Sequence, residues 1–262
     1  MTAPVALHAE IAGPDDAPPL LMGGSLGTTL AMWDPQVAEL SVRHRLVRFD
    51  HRGHGGSPVP DGPYTIAQLG QDVLALMDRL GLARAAYCGL SIGGMVGQWL
   101  AINAPERIDR LVLICTSAYL PPAEGWHERA AAVRAAGTPE VVADAVLARW
   151  FTPGYAEGHP EVVARYRAMI ASSPADGYAG CCEAIAAMDL RDGLPGITAA
   201  TLVIAGRQDP SIPPEHGARI ADAVPGARLE VLDPGAHLAS VERADAVTPL
   251  IADHLATLGA MP

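Results

Sequence analysis

No lysine occurs anywhere in the chain, so all 18 basic residues are arginines. That absence excludes Schiff-base chemistry and the phosphate-loop lysine of nucleotide hydrolases. Cysteine is scarce. Cys88, Cys115 and the adjacent Cys181 and Cys182 show no C-x-x-C spacing, which argues against a zinc site or a redox pair. Neighbouring cysteines make poor bridge partners, so reduced thiols in a cytoplasmic protein are expected. No stretch approaches the roughly 20 apolar residues of a membrane span. The opening MTAPVALHAEIAGPDD has neither Lys nor Arg and no long apolar core, unlike a secretory signal. Positive charge is outweighed as well: the formal net charge of −11 disfavours nucleic acid and acidic membrane surfaces as partners. There is no HExxH helix or ligand cluster, so neither a metal nor an organic cofactor is expected. No internal repeat, low-complexity tail or sign of oligomeric state is present.

What the chain does contain is 262 residues, half of them hydrophobic, enough for a large core in one domain or in one domain with an insertion. Short apolar runs at 19–22 (PLLM), 46–49 (LVRF), 85–88 (AAYC), 111–115 (LVLIC), 201–205 (TLVIA) and 229–232 (LEVL) each end in turn-forming residues, as strands do. Helical spacing fills 66–80, and again 94–103 until Pro105 stops it. Strands alternating with helices predict an α/β fold: a mostly parallel central sheet with helices on both faces and function at the carboxyl ends of its strands. The rhythm breaks at about 118. From there to about 190 the chain is Ala-rich and reads as helices near 125–136, 139–150, 159–171 and 177–187. The expected division is therefore a first core segment 1–118, a helical lid insertion 119–190 and a second core segment 191–262.

The stretch CGLSIGG, residues 88–94, sits where one strand hands over to a helix. A serine there is ordinarily a turn residue or helix cap. Gly89 and Gly93 flank Ser91 at two before and two after, however, which is the G-x-S-x-G pattern of a nucleophile on a sharp strand-to-helix turn. Such a turn aims the helix N-terminus at the reaction centre, so the N–H of Ile92 is a candidate oxyanion donor. The serine needs a base, and the base an orienting carboxylate, following in the order acid then histidine. Asp209 lies just beyond the run 201–205, and His237 follows the run 229–232. His51 and His54 in FDHRGHGGSP precede the serine; that loop is read as a tight course past the site, with Asp50 and Arg52 in structural pairing. The second oxyanion donor is expected from the loop GGSLGTT after the first run, at the N–H of Leu26.

Six segments together resemble the 3-oxoadipate enol-lactonases of the α/β-hydrolase superfamily: CGLSIGGMVGQWLA, GGSLGTTLAMWDPQ, FDHRGHGGSP, RWFTPGY, GYAGCCEAIAAMDLR and DPGAHLASVE. The likeness runs over most of the chain, including the expected lid, and lid segments track substrate where elbow and triad do not. The resemblance implies an α/β-hydrolase fold. It also implies cofactor-free hydrolysis of 3-oxoadipate enol-lactone to 3-oxoadipate in bacterial breakdown of aromatic acids, the only partner being a small lactone or ester. That family often has Asn where this chain has Gly24. Such a substrate carries a carboxylate, which a dry pocket must meet with a donor. The candidates in the lid are Trp126 by its indole N–H and Arg129 or Arg134 by charge, with Trp150 shaping an apolar wall. The same triad serves an esterase, thioesterase or perhydrolase acting on another small acyl compound, and the fold without its chemistry serves as a receptor or inactive scaffold.

Overall fold

Apolar runs of four or five residues that alternate with helical stretches bury both faces of a sheet, and the sheet in this computed structural model has that form. The structure describes residues 3–256; residues 1–2 and 257–262, at the outer ends of the expected core segments, lie outside it. The strands are β1 (Ala9–Ala12), β2 (Pro19–Gly23), β3 (Arg45–Phe49), β4 (Ala85–Leu90), β5 (Ile108–Ile114), β6 (Ala200–Gly206) and β7 (Arg228–Leu232). They pair in the order β1-β3-β2-β4-β5-β6-β7. All neighbours are parallel except β1, which runs antiparallel to β3 with Ala9 opposite Phe49. Every residue of β4 is buried, as a central strand covered on both faces requires.

Helices α1 (Asp34–Leu40), α2 (Ile66–Arg79) and α3 (Ile92–Asn103) belong to the first half of the sheet. Thr65 and Gln68 close a capping box that starts α2, and Ile66, Leu69, Val73, Leu76 and Met77 form its buried stripe. Helix α3 is apolar nearly all round, which suits its place against β2, β4 and β5. The chain moves outward to β3 after β2 and in the opposite direction from β4 onward. The carboxyl ends of β2 and β4 thus form the switch point where α/β sheets place their sites.

Between β5 and β6 lie α4 (Ala123–Ala136), α5 (Glu140–Trp150), α6 (Pro153–Gly158), α7 (Pro160–Ala171) and α8 (Ala175–Ala186). The spacing predicts four helices here; the fifth is the short α6 of six residues, opened by Thr152, whose hydroxyl accepts from the Tyr155 N–H at 3.4 Å. The two ends of the insertion meet, through a bridge between Tyr119 and Asp189 and a bond from Leu190 N–H to Ala118 O at 2.8 Å. Helices α9 (Pro214–Ala223), α10 (Ala239–Glu242) and α11 (Ala244–Ala256) complete the second half. All four cysteines are buried free thiols. Among the described residues no helix is long and apolar enough to cross a membrane.

Candidate active site

Ser91 stands between the last residue of β4 and the first of α3 with φ 56° and ψ −118°. A non-glycine residue there costs on the order of 1–3 kcal/mol and persists only where its surroundings enforce it. They do: its N–H donates to Ile114 O at 2.9 Å, and its carbonyl accepts from Met95 N–H at 3.0 Å and the Thr116 hydroxyl at 2.7 Å. The flanking glycines are required by space. A Cβ at Gly89 would lie 2.2 Å from Gly93 O, and one at Gly93 would lie 2.1 Å from Gly23 O. The backbone of the elbow thus touches the loop after β2 directly, and the Gly93 N–H donates to Gly24 O at 3.1 Å.

Asp209 and His237 come from the loops after β6 and β7 and are both buried. One carboxylate oxygen of Asp209 accepts from the N–H groups of Ser211 and Ile212 at 2.8 and 3.0 Å, which fixes the side chain. The other oxygen lies 2.7 Å from His237 Nδ1. With Nδ1–H donated there, Nε2 is left as the free basic nitrogen, and His237 and Ser91 line one cavity. Asp233, before His237 in sequence, instead faces Arg207 at 4.0 Å near the surface.

The loop after β2 is braced from behind by the two histidines of 50–58. His54 Nε2 accepts from Gly27 N–H at 3.0 Å, so its proton sits on Nδ1, facing Arg52 O at 3.3 Å. His51 Nε2 donates to Gly24 O at 3.2 Å. Burial lowers the pKa of both, and the His51 value falls to about 3, with the neighbouring His54 adding to the effect. Both rings are therefore neutral props rather than acids or bases. Asp50 and Arg52 do not pair with each other. Asp50 accepts from Leu30 and Gly56 N–H groups, while Arg52 pairs with Asp72 of α2 at 2.6 Å, because the two side chains leave the loop in different directions. Among the described residues no acceptor meets the N–H of Leu26 or of Ile92. A Cβ at Gly24 would come 2.7 Å from Thr28 Oγ1, so a side chain there requires the Thr28 hydroxyl to shift.

The cavity above Ser91 is small, about 40 Å3. Leu26, Trp126, Arg129 and Trp150 all line it. Arg134 does not. Its guanidinium bonds to both oxygens of Glu183 and lies 3.4 Å from Asp176, beside Asp61 and Gly62 on another side of the insertion. On α4, Arg134 is five residues from Arg129, about 140° round the helix, so the two cannot share a face. The arginine that sequence reasoning missed is Arg149 of α5, which lines the cavity with Val146 and Trp150 at helical spacing. Arg129 lies over the Trp126 ring at 4.8 Å, and neither it nor Arg149 is ion-paired with a carboxylate among the described residues. Burial, and then the charge of Arg129, lower the pKa of Arg149. Among the described residues no cluster of His, Cys, Asp and Glu is placed to hold a metal ion.

Residues 18–244 match the model of the α/β-hydrolase fold family. The chain belongs to the α/β-hydrolase family. Within this family it is 43% identical over 243 residues to 3-oxoadipate enol-lactonase 2 of Acinetobacter baylyi, covering 92% of this chain and 90% of that protein. It is 36% identical to 3-oxoadipate enol-lactonase 1 of the same organism, over 90% of this chain and 88% of the relative. The crystal structure of the enol-lactonase from Burkholderia xenovorans superposes with a TM-score of 0.93 at 47% identity, covering 96% of each chain. The coverage takes in the helical insertion of this hydrolase as well as its sheet.

Proposed function

We propose that this α/β hydrolase opens the ring of 3-oxoadipate enol-lactone to give 3-oxoadipate, in the bacterial breakdown of aromatic acids, through Ser91, His237, Asp209 and an acyl-enzyme. His237 Nε2 takes the Ser91 proton as the serine oxygen attacks the lactone carbonyl. The N–H groups of Leu26 and Ile92 hold the oxyanion, and Asp209 steadies the imidazolium. Collapse breaks the ring C–O bond, and the leaving oxygen stays tethered as an enolate that takes the proton held on His237 and becomes a ketone, which returns the imidazole to its neutral form. Such a leaving group needs less acid assistance than an amine. Water deprotonated by His237 then releases the new carboxylate.

The observation that carries the substrate reading is the pair Arg129 and Arg149 in the same cavity as Ser91, neither ion-paired with a carboxylate among the described residues. A cavity with unneutralised guanidiniums favours an anionic guest, and an acidic lactone supplies one carboxylate beside the scissile bond. Trp126, stacked under Arg129, limits where that guanidinium can point. The test compares kcat/KM for the enol-lactone with that for a neutral ester of similar size, in the wild type and in Arg129→Gln and Arg149→Gln. Loss of a charge-assisted hydrogen bond of about 1.5–3 kcal/mol lowers the ratio roughly ten- to a hundredfold. Arg134→Gln, outside the cavity, leaves the ratio unchanged. Unaltered ratios in both cavity variants, or faster cleavage of a neutral ester, thioester or carbamate than of the enol-lactone, would refute the substrate reading.

A further inference from the structure

We propose that Glu242 is a positioning residue: one buried carboxylate ties the helical insertion to the loop carrying His237, so cavity wall and base are set together. The proposal rests on His237 acting as the base. Glu242 ends α10, and it and Thr152 are both buried. Three donors converge on it. The Ala236 N–H donates to Oε2 at 3.1 Å, the Thr152 N–H lies 3.3 Å from both oxygens, and the Thr152 hydroxyl donates to Oε1. Among the described residues no cation pairs with it, so these donors are what satisfy it.

The partners lie on either side of the site. Ala236 immediately precedes His237, and Leu238, which immediately follows it, donates its N–H to Trp150 O at 2.9 Å. Trp150 forms part of the cavity wall, and Thr152 lies two residues further on, where α5 gives way to α6. The histidine is thus held at both neighbours by residues 150–152 of the insertion, once directly and once through Glu242. A carboxylate suits this junction because every group facing it is a donor. An amide at 242 would turn its own N–H groups toward one of them.

A role confined to stability would leave the reactivity of folded enzyme unchanged, and that separates the two explanations. The rate at which a fluorophosphonate labels Ser91 reads the serine and its base without needing the natural substrate. Thr152→Val keeps the side-chain volume but removes the hydroxyl donated to Glu242; Thr152→Ser restores the hydroxyl. The expected result is that Thr152→Val slows labelling and lowers kcat on p-nitrophenyl acetate about tenfold with little change in KM. Thr152→Ser returns both to near the wild-type values. Glu242→Gln, a second route to the same break, shows the same loss. Equal labelling rates in wild type and folded Thr152→Val or Glu242→Gln, or a Thr152→Ser variant as slow as the Val one, would overturn the coupling alone. A wild-type enzyme that is not labelled at Ser91 would overturn the serine-hydrolase reading beneath it.

Discussion

Asp209→Asn removes one charge from the site while keeping its shape, and the geometry fixes the consequence. One Asp209 oxygen accepts from the N–H groups of Ser211 and Ile212, so the amide oxygen of Asn takes that position. The amide nitrogen is then left facing His237 Nδ1 across 2.7 Å. Two donors cannot meet there, so Nδ1 becomes the acceptor and the ring proton moves to Nε2, the nitrogen that receives the proton of Ser91 in the proposed mechanism. Wrong tautomer and lost imidazolium stabilisation together lower kcat by about 10⁴-fold, or roughly 5 kcal/mol at 1.36 kcal/mol per tenfold. The fold is retained because the two backbone anchors are kept. The assay is kcat on p-nitrophenyl acetate beside a circular-dichroism melt. A folded variant within tenfold of wild-type turnover would refute the reasoning and assign the orienting role to another carboxylate. Asp233 is placed to supply none, since it faces Arg207.

The elbow offers a second test: Gly93→Ala drives a Cβ to within 2.1 Å of the Gly23 carbonyl, where only backbone can yield. Overpacking of about 1–3 kcal/mol lowers Tm and displaces Ser91 enough to abolish fluorophosphonate labelling; wild-type melting and labelling would contradict it. Gly125→Ala in α4, where nothing lies within 4 Å, is the control and gains up to about 1 kcal/mol. A third test uses pH. The pKa of His51 is 6.5 in the unfolded chain and about 3 when buried, so below 6.5 the unfolded state binds a proton that the folded state refuses. Stability therefore falls with falling pH, this group contributing up to about 1.4 kcal/mol per pH unit. His51→Gln keeps an N–H for Gly24 O and should flatten the slope of stability against pH below 6.5; an unchanged slope would show that His51 does not titrate this way.

The positions of Ser91, Asp209 and His237 at the carboxyl end of the sheet were legible in the sequence because each is a local event, one residue or a short loop beyond an apolar run that forms a strand. Strand β1 was not. Its four residues are half-exposed at the sheet edge, with Ile11 at 43% exposure, and carry no apolar run to mark them. The choice among arginines failed for a different reason. Arg129 and Arg134 both stand at helical spacing from Trp126, three and eight residues on, and nothing local says which of them meets a cavity. Arg149 was hidden in the same way beside Trp150. His51 and His54 read as loop residues because their partners, Gly24 and Gly27, lie 27 positions earlier. The bond between Thr152 and Glu242 spans 90 positions and has no sequence signature at all.

Acid-quenched enzyme caught during turnover of 3-oxoadipate enol-lactone, digested and weighed by mass spectrometry, tests the central claim most directly. A lactone's leaving group stays attached to its acyl carbon, so the acyl-enzyme carries the mass of one whole substrate. The expected result is that gain on the peptide containing Ser91, its disappearance as 3-oxoadipate accumulates, and neither adduct nor product in Ser91→Ala. Product formed without an adduct on Ser91, or formed by Ser91→Ala at the wild-type rate, would contradict it.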